Sequence, residues 1–336
     1  MNIAVTGGRG FLGTHVVEAL RTHNVAVTPL SRADGDLKIR GVAQALLQNA
    51  EVIIHLAADV GGLGYLRAHP QRAFHHNLDI GLNVIAAATE GKAQLLILAG
   101  TPCSYADDCP LPLRETDLET GVPSGDTASY AYAKLAVSKA AATLCPLGGV
   151  DVVTVIPSNL YGPHDNFSTH RAHVVAALLR KAVLARKSGV ETFEVWGSGS
   201  ATRDLVFVTD VAEQIATLAV GSRSGYCGQT FNLGSGQETS MRQLASLIAA
   251  AVGKVRPVFS ESKPVGYTHR VMALEASQNS LGYRNQVSLA DGLAATVKWI
   301  YEQDLPQKWL GATDDVTDQQ AATTLLFPTQ SSRHAA

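Results

Sequence analysis

Apolar residues along this chain fall into short unbroken runs, separated by stretches in which they recur every three or four positions. Residues 2–6 are such a run, closed by Gly7, and helical spacing follows from Phe11 to Leu20. That opening reads as strand, glycine turn, helix. The alternation continues with strands at 25–30, 52–57, 95–99 and 152–156 and helices at 42–48, 82–89 and 133–144. Strands without polar alternation, separated by helices, indicate a parallel sheet covered on both faces. Right-handed crossovers make such a sheet doubly wound, in the Rossmann manner.

After Pro157 the rhythm loosens into a polar loop (162–171), a helix (174–187), a strand (193–196) and helices near 210–220 and 240–252. This half reads as a smaller, discontinuous α+β cap. No internal repeat is visible.

Composition narrows the class. Apolar residues are 46%, charged residues 17% and mean hydropathy +0.07, enough for a buried core and unlike a disordered chain. The 27 basic and 29 acidic residues give net −2 with pI near 6.6, so no nucleic-acid partner is expected. No apolar run reaches the roughly 18 residues of a membrane span. The first residues already form a strand-like run, so no leader is expected and the location should be cytoplasmic. Cys103, Cys109, Cys145 and Cys227 are too scattered for a disulfide framework or a metal site, and no metal is expected.

Gly7-x-x-Gly10-x-x-Gly13 sits between strand and helix, as a dinucleotide fingerprint requires. Glycines let the backbone approach a pyrophosphate, and the helix N-terminus, beginning at Phe11 and Leu12, offers N–H groups to it. An NAD site places an acid at the end of the second strand, where this chain has Leu30-Ser31-Arg32. Arg32 and Arg9 are either solvated loop residues or partners of a 2′-phosphate, and together they favour NADP(H). Asp36 is either a contact for the adenine amino group or a turn residue.

Residues 1–160 are therefore expected to form an NADP-binding Rossmann domain, with returning segments around 200–235. Residues 161–310 would form the discontinuous substrate-binding cap, and 311–336 a loose tail.

Tyr130 and Lys134 lie at i, i+4 on a predicted helix and share one face. There Lys134 is expected to draw the phenol down from about 10, so that Tyr130 exchanges a proton with a substrate oxygen while a nicotinamide exchanges hydride. Thr101 follows the strand 95–99, at the sheet end where open α/β folds place their ligand crevice. Its hydroxyl either serves a substrate oxygen or simply closes the strand.

The glycine loop and the Thr/Tyr/Lys set, in this order, resemble the extended short-chain dehydrogenase/reductases. More narrowly, several stretches resemble the GDP-L-fucose synthases, NADPH-dependent 3,5-epimerase/4-reductases of GDP-4-keto-6-deoxymannose. They are His55-Leu56-Ala57-Ala58 running into Gly61-Gly62, Pro70 through Asn77, the run from Asn159 and Leu160 to Phe167, His173-Val174 with the downstream Ala-Leu-Leu-Arg, Val195 to Gly199 with Arg203, Asn232 to Gly236, and Ser262-Lys263-Pro264. The likeness spans residues 2 to about 302.

What the resemblance implies is carried over residue by residue. Thr101 stands where the family has its catalytic serine, Tyr130 is the general acid and Lys134 its lysine. Cys103 and His173 match the epimerisation base and acid. Trp196 and Arg203 match substrate contacts, with Asn159 and Asn166 in the shared run. Lys181 and Arg270 are conservatively changed basic positions. Leu56, Ala57, Ala58, Pro157, Asn159 and Leu160 join the glycine loop at the cofactor. The family commonly pairs through a helix bundle, so a homodimer is expected, with the helix around 130–144 available for it. His75 and His76 are read as helix-surface residues.

Three departures stand in the same stretches. Val265 and Ala273 replace aspartates of the family, and Pro102 replaces a small hydroxyl residue. A lysine at 181 also cannot copy an arginine's bidentate grip on phosphate. The expected activity is NADPH-dependent epimerisation and C4 reduction of a nucleotide-activated 4-keto sugar. The alternatives are an epimerase without net reduction, similar to GDP-mannose 3,5-epimerase, and a non-catalytic dinucleotide-binding protein.

Overall fold

The apolar runs of the first half become β1 (Asn2–Thr6), β2 (Ala26–Leu30), β3 (Val52–His55), β4 (Leu95–Ala99) and β5 (Asp151–Pro157) in a computed structural model that describes residues 1–221, 226–262 and 268–311. Between them run α1 (Phe11–Thr22), α2 (Arg40–Leu47), α3 (Leu63–Ala68), α4 (Pro70–Glu90) and α5 (Ala128–Leu147). The second half contributes β6 (Asn159–Tyr161), α6 (Val174–Lys187), β7 (Thr192–Trp196), β8 (Thr202–Arg203), β9 (Leu205–Phe207) and α7 (Val208–Val220). It continues with β10 (Thr230–Leu233), β11 (Thr239–Ser240), α8 (Met241–Val252), β12 (Arg256–Ser260), α9 (Glu275–Leu281), α10 (Leu289–Glu302) and α11 (Leu305–Gly311).

Six strands pair in parallel in the order β10-β5-β4-β3-β1-β2. Every residue of β3 is buried, because helices cover both faces. On one face α1 and α7 bring Val16, Leu20, Ile215 and Leu218 into a cluster with Ile3, Val5 and Ile54. On the other, α2, α4 and α5 bring Leu47, Val84, Ile85 and Val137 against Ala4, Ile53 and Leu96. The chain leaves β1 towards β2 and returns on its other side as β3. The carboxyl ends of β1 and β3 therefore part into the crevice where doubly wound sheets bind ligands.

The cap has its own core, in which α6, α8 and α10 meet through Leu178, Leu179, Leu244, Ile248, Leu293 and Ile300. Its strands form three two-stranded pairs, β7 with β12, β6 with β9 and β8 with β11.

The helix predicted at 82–89 is the second half of α4, which starts at Pro70. Its first turns bury only Ala73 and Asn77, so their apolar pattern is thin. Lys263 to Gly266, with the Val265 departure, and the tail from residue 312 lie outside the described residues.

Candidate functional site

The glycine loop leaves β1 at Gly7, whose φ of +69° suits a residue without a side chain. A Cβ there would stand 2.8 Å from the Ala57 nitrogen, and one at Gly13 would stand 2.0 Å from the Gly7 oxygen. Loop, helix and the chain after β3 thus touch backbone to backbone. Gly10 caps α1 without a side-chain hydrogen bond, and the first turn holds no acid. The helix therefore keeps its N–H groups and positive end for an external anion, and a dinucleotide pyrophosphate fits. Beneath the loop, Thr6 Oγ1 lies 2.7 Å from His55 Nδ1 and accepts the Ala57 N–H. Burial, then the charge of Lys134, holds His55 down at about 3, so it is neutral.

One cavity of about 1050 Å³ opens from this loop towards the cap. Arg9, Phe11, Leu12, Gly13, Arg32 and Asp36 line it, as do Leu56, Ala57, Ala58, Pro157, Asn159 and Leu160. Every residue expected at the dinucleotide is thereby brought to one space. Arg9 donates to Ser31 Oγ and to Asp34, and Asp34 also accepts the Ser31 N–H and hydroxyl. Asp36 lines the cavity while its Oδ1 accepts the Lys38 N–H, so it serves the turn in either case.

Thr101, Cys103, Tyr130, Lys134 and His173 line the same cavity. Thr101 caps the short 3₁₀ turn after β4, and its Oγ1 accepts the Cys103 N–H at 3.3 Å. Burial pushes the Cys103 thiol up, opposed by the Thr101 and Thr127 hydroxyls and by the charges of Arg270 and Arg203. Lys134, 5% exposed, is pushed down to about 8 by burial.

The expected lowering of Tyr130 is not what the structure shows. Burial pushes its phenol up, the charge of Cys103 adds to this, and only the Thr101 hydroxyl opposes it. Tyr130 is thus kept protonated, ready to give a proton. His173 caps α6 and is exposed to the cavity it lines, yet enough atoms crowd this cleft to lower its pKa by desolvation.

Of the residues expected at the substrate, Lys181, Trp196, Arg203 and Arg270 line the cavity with Asn159. Lys181 lies 5.1 Å over the Trp196 ring and 3.6 Å from Glu194, and Arg270 pairs with Asp107 at 3.1 Å. Asn166 is exposed and not among the cavity-lining residues, and its side chain accepts the Ser168 N–H in the loop. His76 is a correction: it lines the cavity, and its Nδ1 lies 2.8 Å from Asp59, whereas its neighbour His75 is exposed as expected. Nothing local signals that contact, since Asp59 lies on another segment.

Among the described residues no group of three or more His, Cys, Asp or Glu is placed to hold a metal ion, and no helix is long and apolar enough to cross a membrane.

Residues 3–234 match the NAD dependent epimerase/dehydratase family. The chain is 33% identical over 302 residues to GDP-L-fucose synthase 1 of Arabidopsis thaliana, covering 88% of this chain and 92% of that one. It is 28% identical over 311 residues to GDP-L-colitose synthase of Yersinia pseudotuberculosis, covering 90% and 99%. The NADP-bound crystal structure of a GDP-L-fucose synthetase from Naegleria fowleri matches with a TM-score of 0.80 at 25% identity, over 90% of this chain and 93% of that one. This chain belongs to the NAD dependent epimerase/dehydratase family, among the extended short-chain dehydrogenase/reductases, and within it closely resembles the GDP-L-fucose synthases.

Proposed function

We propose that this protein is an NADP(H)-dependent epimerase/reductase of a GDP-linked 4-keto sugar. The observation that carries the reading is the convergence of Thr101, Cys103, Tyr130, Lys134 and His173 on the wall of the cavity that also holds the glycine loop, with Thr101 Oγ1 accepting the Cys103 N–H.

A proton α to a ketone is acidic because its carbanion delocalises into an enolate. Cys103 removes that proton as thiolate, a form that burial opposes and that the nearby charges of Arg270 and Arg203 assist. Thr101 and Tyr130 donate hydrogen bonds to the ketone oxygen, where enolate charge develops. His173 returns a proton on the opposite face of the sugar. When bound, the nicotinamide supplies the hydride for C4. Tyr130 then gives its proton to the C4 oxygen, and Lys134 steadies the negative charge left on the phenol. Trp196, Lys181 and Arg203 hold the nucleotide and its phosphates.

The test mixes purified protein with GDP-4-keto-6-deoxy-D-mannose and NADPH in deuterated water. The expected result is stoichiometric NADPH oxidation with deuterium at the epimerised carbons. Deuterium incorporation without oxidation would point to an epimerase without reduction. Neither signal would overturn the reading.

A further inference from the structure

Asp59, 2% exposed, is the hub of a polar cluster beside the cavity that the proposed mechanism does not use. Its carboxylate accepts from Tyr65 Oη at 2.5 Å, Arg72 Nε at 2.8 Å and His76 Nδ1 at 2.8 Å. Arg171 Nη1 lies 3.6 Å from it. Its backbone is fixed to α4 in both directions: its N–H donates to Asn77 Oδ1, and Asn77 Nδ2 donates to its carbonyl, each at 2.9 Å. Burial alone would raise its pKa, but the bonds from Tyr65, Arg72 and His76 hold it at about 2.

Arg171 belongs to the strap of chain that ends at His173. Its carbonyl accepts the Gly62 N–H at 3.0 Å, its Nη1 donates to the Val60 carbonyl at 3.4 Å, and its guanidinium stands 4.0 Å over the Tyr65 ring. A Cβ on Gly62 would come within 2.5 Å of the Ala172 carbonyl oxygen, so strap and loop are in backbone contact. On the other side, Tyr65 and Leu66 pack with Ala73 and Tyr130 in one small cluster. The Asp59 cluster therefore joins the segment that carries His173 to the wall that carries Tyr130.

We propose that Asp59 is a positioning residue for epimerisation: by fixing Tyr65 and Arg171 it sets where His173 stands across the cleft from Tyr130. The proposal rests on His173 being the proton donor of the reading above. Proton transfer needs the two heavy atoms within about 3 Å of one another. Misplacement by about 1 Å costs on the order of 100-fold in rate. Without the Asp59 charge, Arg72, Arg171 and His76 lose their shared anionic partner, and the strap keeps only its contacts to Gly62, Val60 and the Tyr65 ring. Arg72 has a further interaction, so the anchor that matters is the one on Tyr65 and Arg171.

Asp59→Asn keeps the shape and one acceptor oxygen while removing the charge. With GDP-4-keto-6-deoxy-D-mannose in deuterated water, formation of the epimerised, deuterated sugar is expected to fall at least tenfold in kcat, with KM within about twofold. Oxidation of the epimerised 4-hydroxy product by NADP+, which requires no epimerisation, should stay within about twofold of the wild-type rate. Arg171→Ala should reproduce the loss, and Arg171→Lys should restore part of it. If Asp59→Asn does not fold, Tyr65→Phe and Arg171→Ala carry the same expectation. Wild-type epimerisation in these variants, beside an inactive His173→Asn, would overturn the positioning role alone. Wild-type epimerisation in His173→Asn would overturn the role of His173 and the positioning proposal with it.

Discussion

The Arg9 guanidinium stands 3.1 Å from the Asp34 carboxylate at the cofactor end of the cleft. Asp34 also accepts the Ser31 N–H at 2.8 Å and the Ser31 hydroxyl at 2.9 Å. An internal carboxylate thus already holds the donors that a ribose 2′-phosphate would need. Asp34→Asn should therefore strengthen NADP+ binding while leaving NAD+ nearly unchanged. The pair is exposed and screened, so the gain is about two- to fivefold. Fluorescence titration with both cofactors checks it, and weaker NADP+ binding would show instead that Asp34 organises the loop.

Cys103 and Tyr130 line the same cavity beside Thr101 but are assigned different protons. Cys103→Ala should lower solvent-deuterium exchange by roughly 10²- to 10⁴-fold, the usual loss of a general base. Tyr130→Phe should lower NADPH oxidation more than exchange. Equal loss of both signals in both variants would contradict the division of labour.

Lys134 carries a stability cost. Its ammonium is buried, and its pKa falls from 10.5 to about 8. Between those values the unfolded chain binds more protons than the folded one, so stability rises with pH across that window. Below about pH 8 the full penalty is present, roughly 3 kcal/mol. Lys134→Met should accordingly raise the melting temperature at pH 7 and abolish reduction. Melting curves at pH 7 and pH 10 should show the gain shrinking as pH rises.

Leu82 of α4 and Tyr132 and Leu144 of α5 are exposed apolar side chains on two helices packed against each other. Pairing of these helices with those of a second copy is expected to hold a homodimer. Light scattering should give twice the mass of 35.4 kDa for the wild-type protein and a shift towards one copy for Leu144→Arg. A monomeric wild-type protein at micromolar concentration would exclude the pairing.

The doubly wound sheet is legible in the sequence because β3, up to its terminal His55, and β4 are short, apolar and bounded by helical spacing. The glycine loop and the Tyr130/Lys134 face are legible because their chemistry is local, within seven and five residues of chain. Other features depend on partners far away in sequence. His76 looks like a surface residue until Asp59 is brought beside it. Asn166 sits in the most distinctive run of the chain yet turns outward to bond Ser168. The strands β8, β9 and β11 have two or three residues each, too few for any periodicity to register. The protonation of Tyr130 depends on burial, which spacing does not report.

The sheet's outermost strand also governs the order in which the chain can finish folding. β10 pairs with β5 but follows α6 and α7 in the chain. Until that pairing forms, β5 presents an open row of N–H and C=O groups, the kind of edge that recruits other chains. Closure is then secured by Asn232, which accepts the Tyr105 hydroxyl and donates to the carbonyls of Leu113 and Ala273. A nascent chain that stalls or is cut near residue 160 is consequently an aggregation hazard rather than a soluble half.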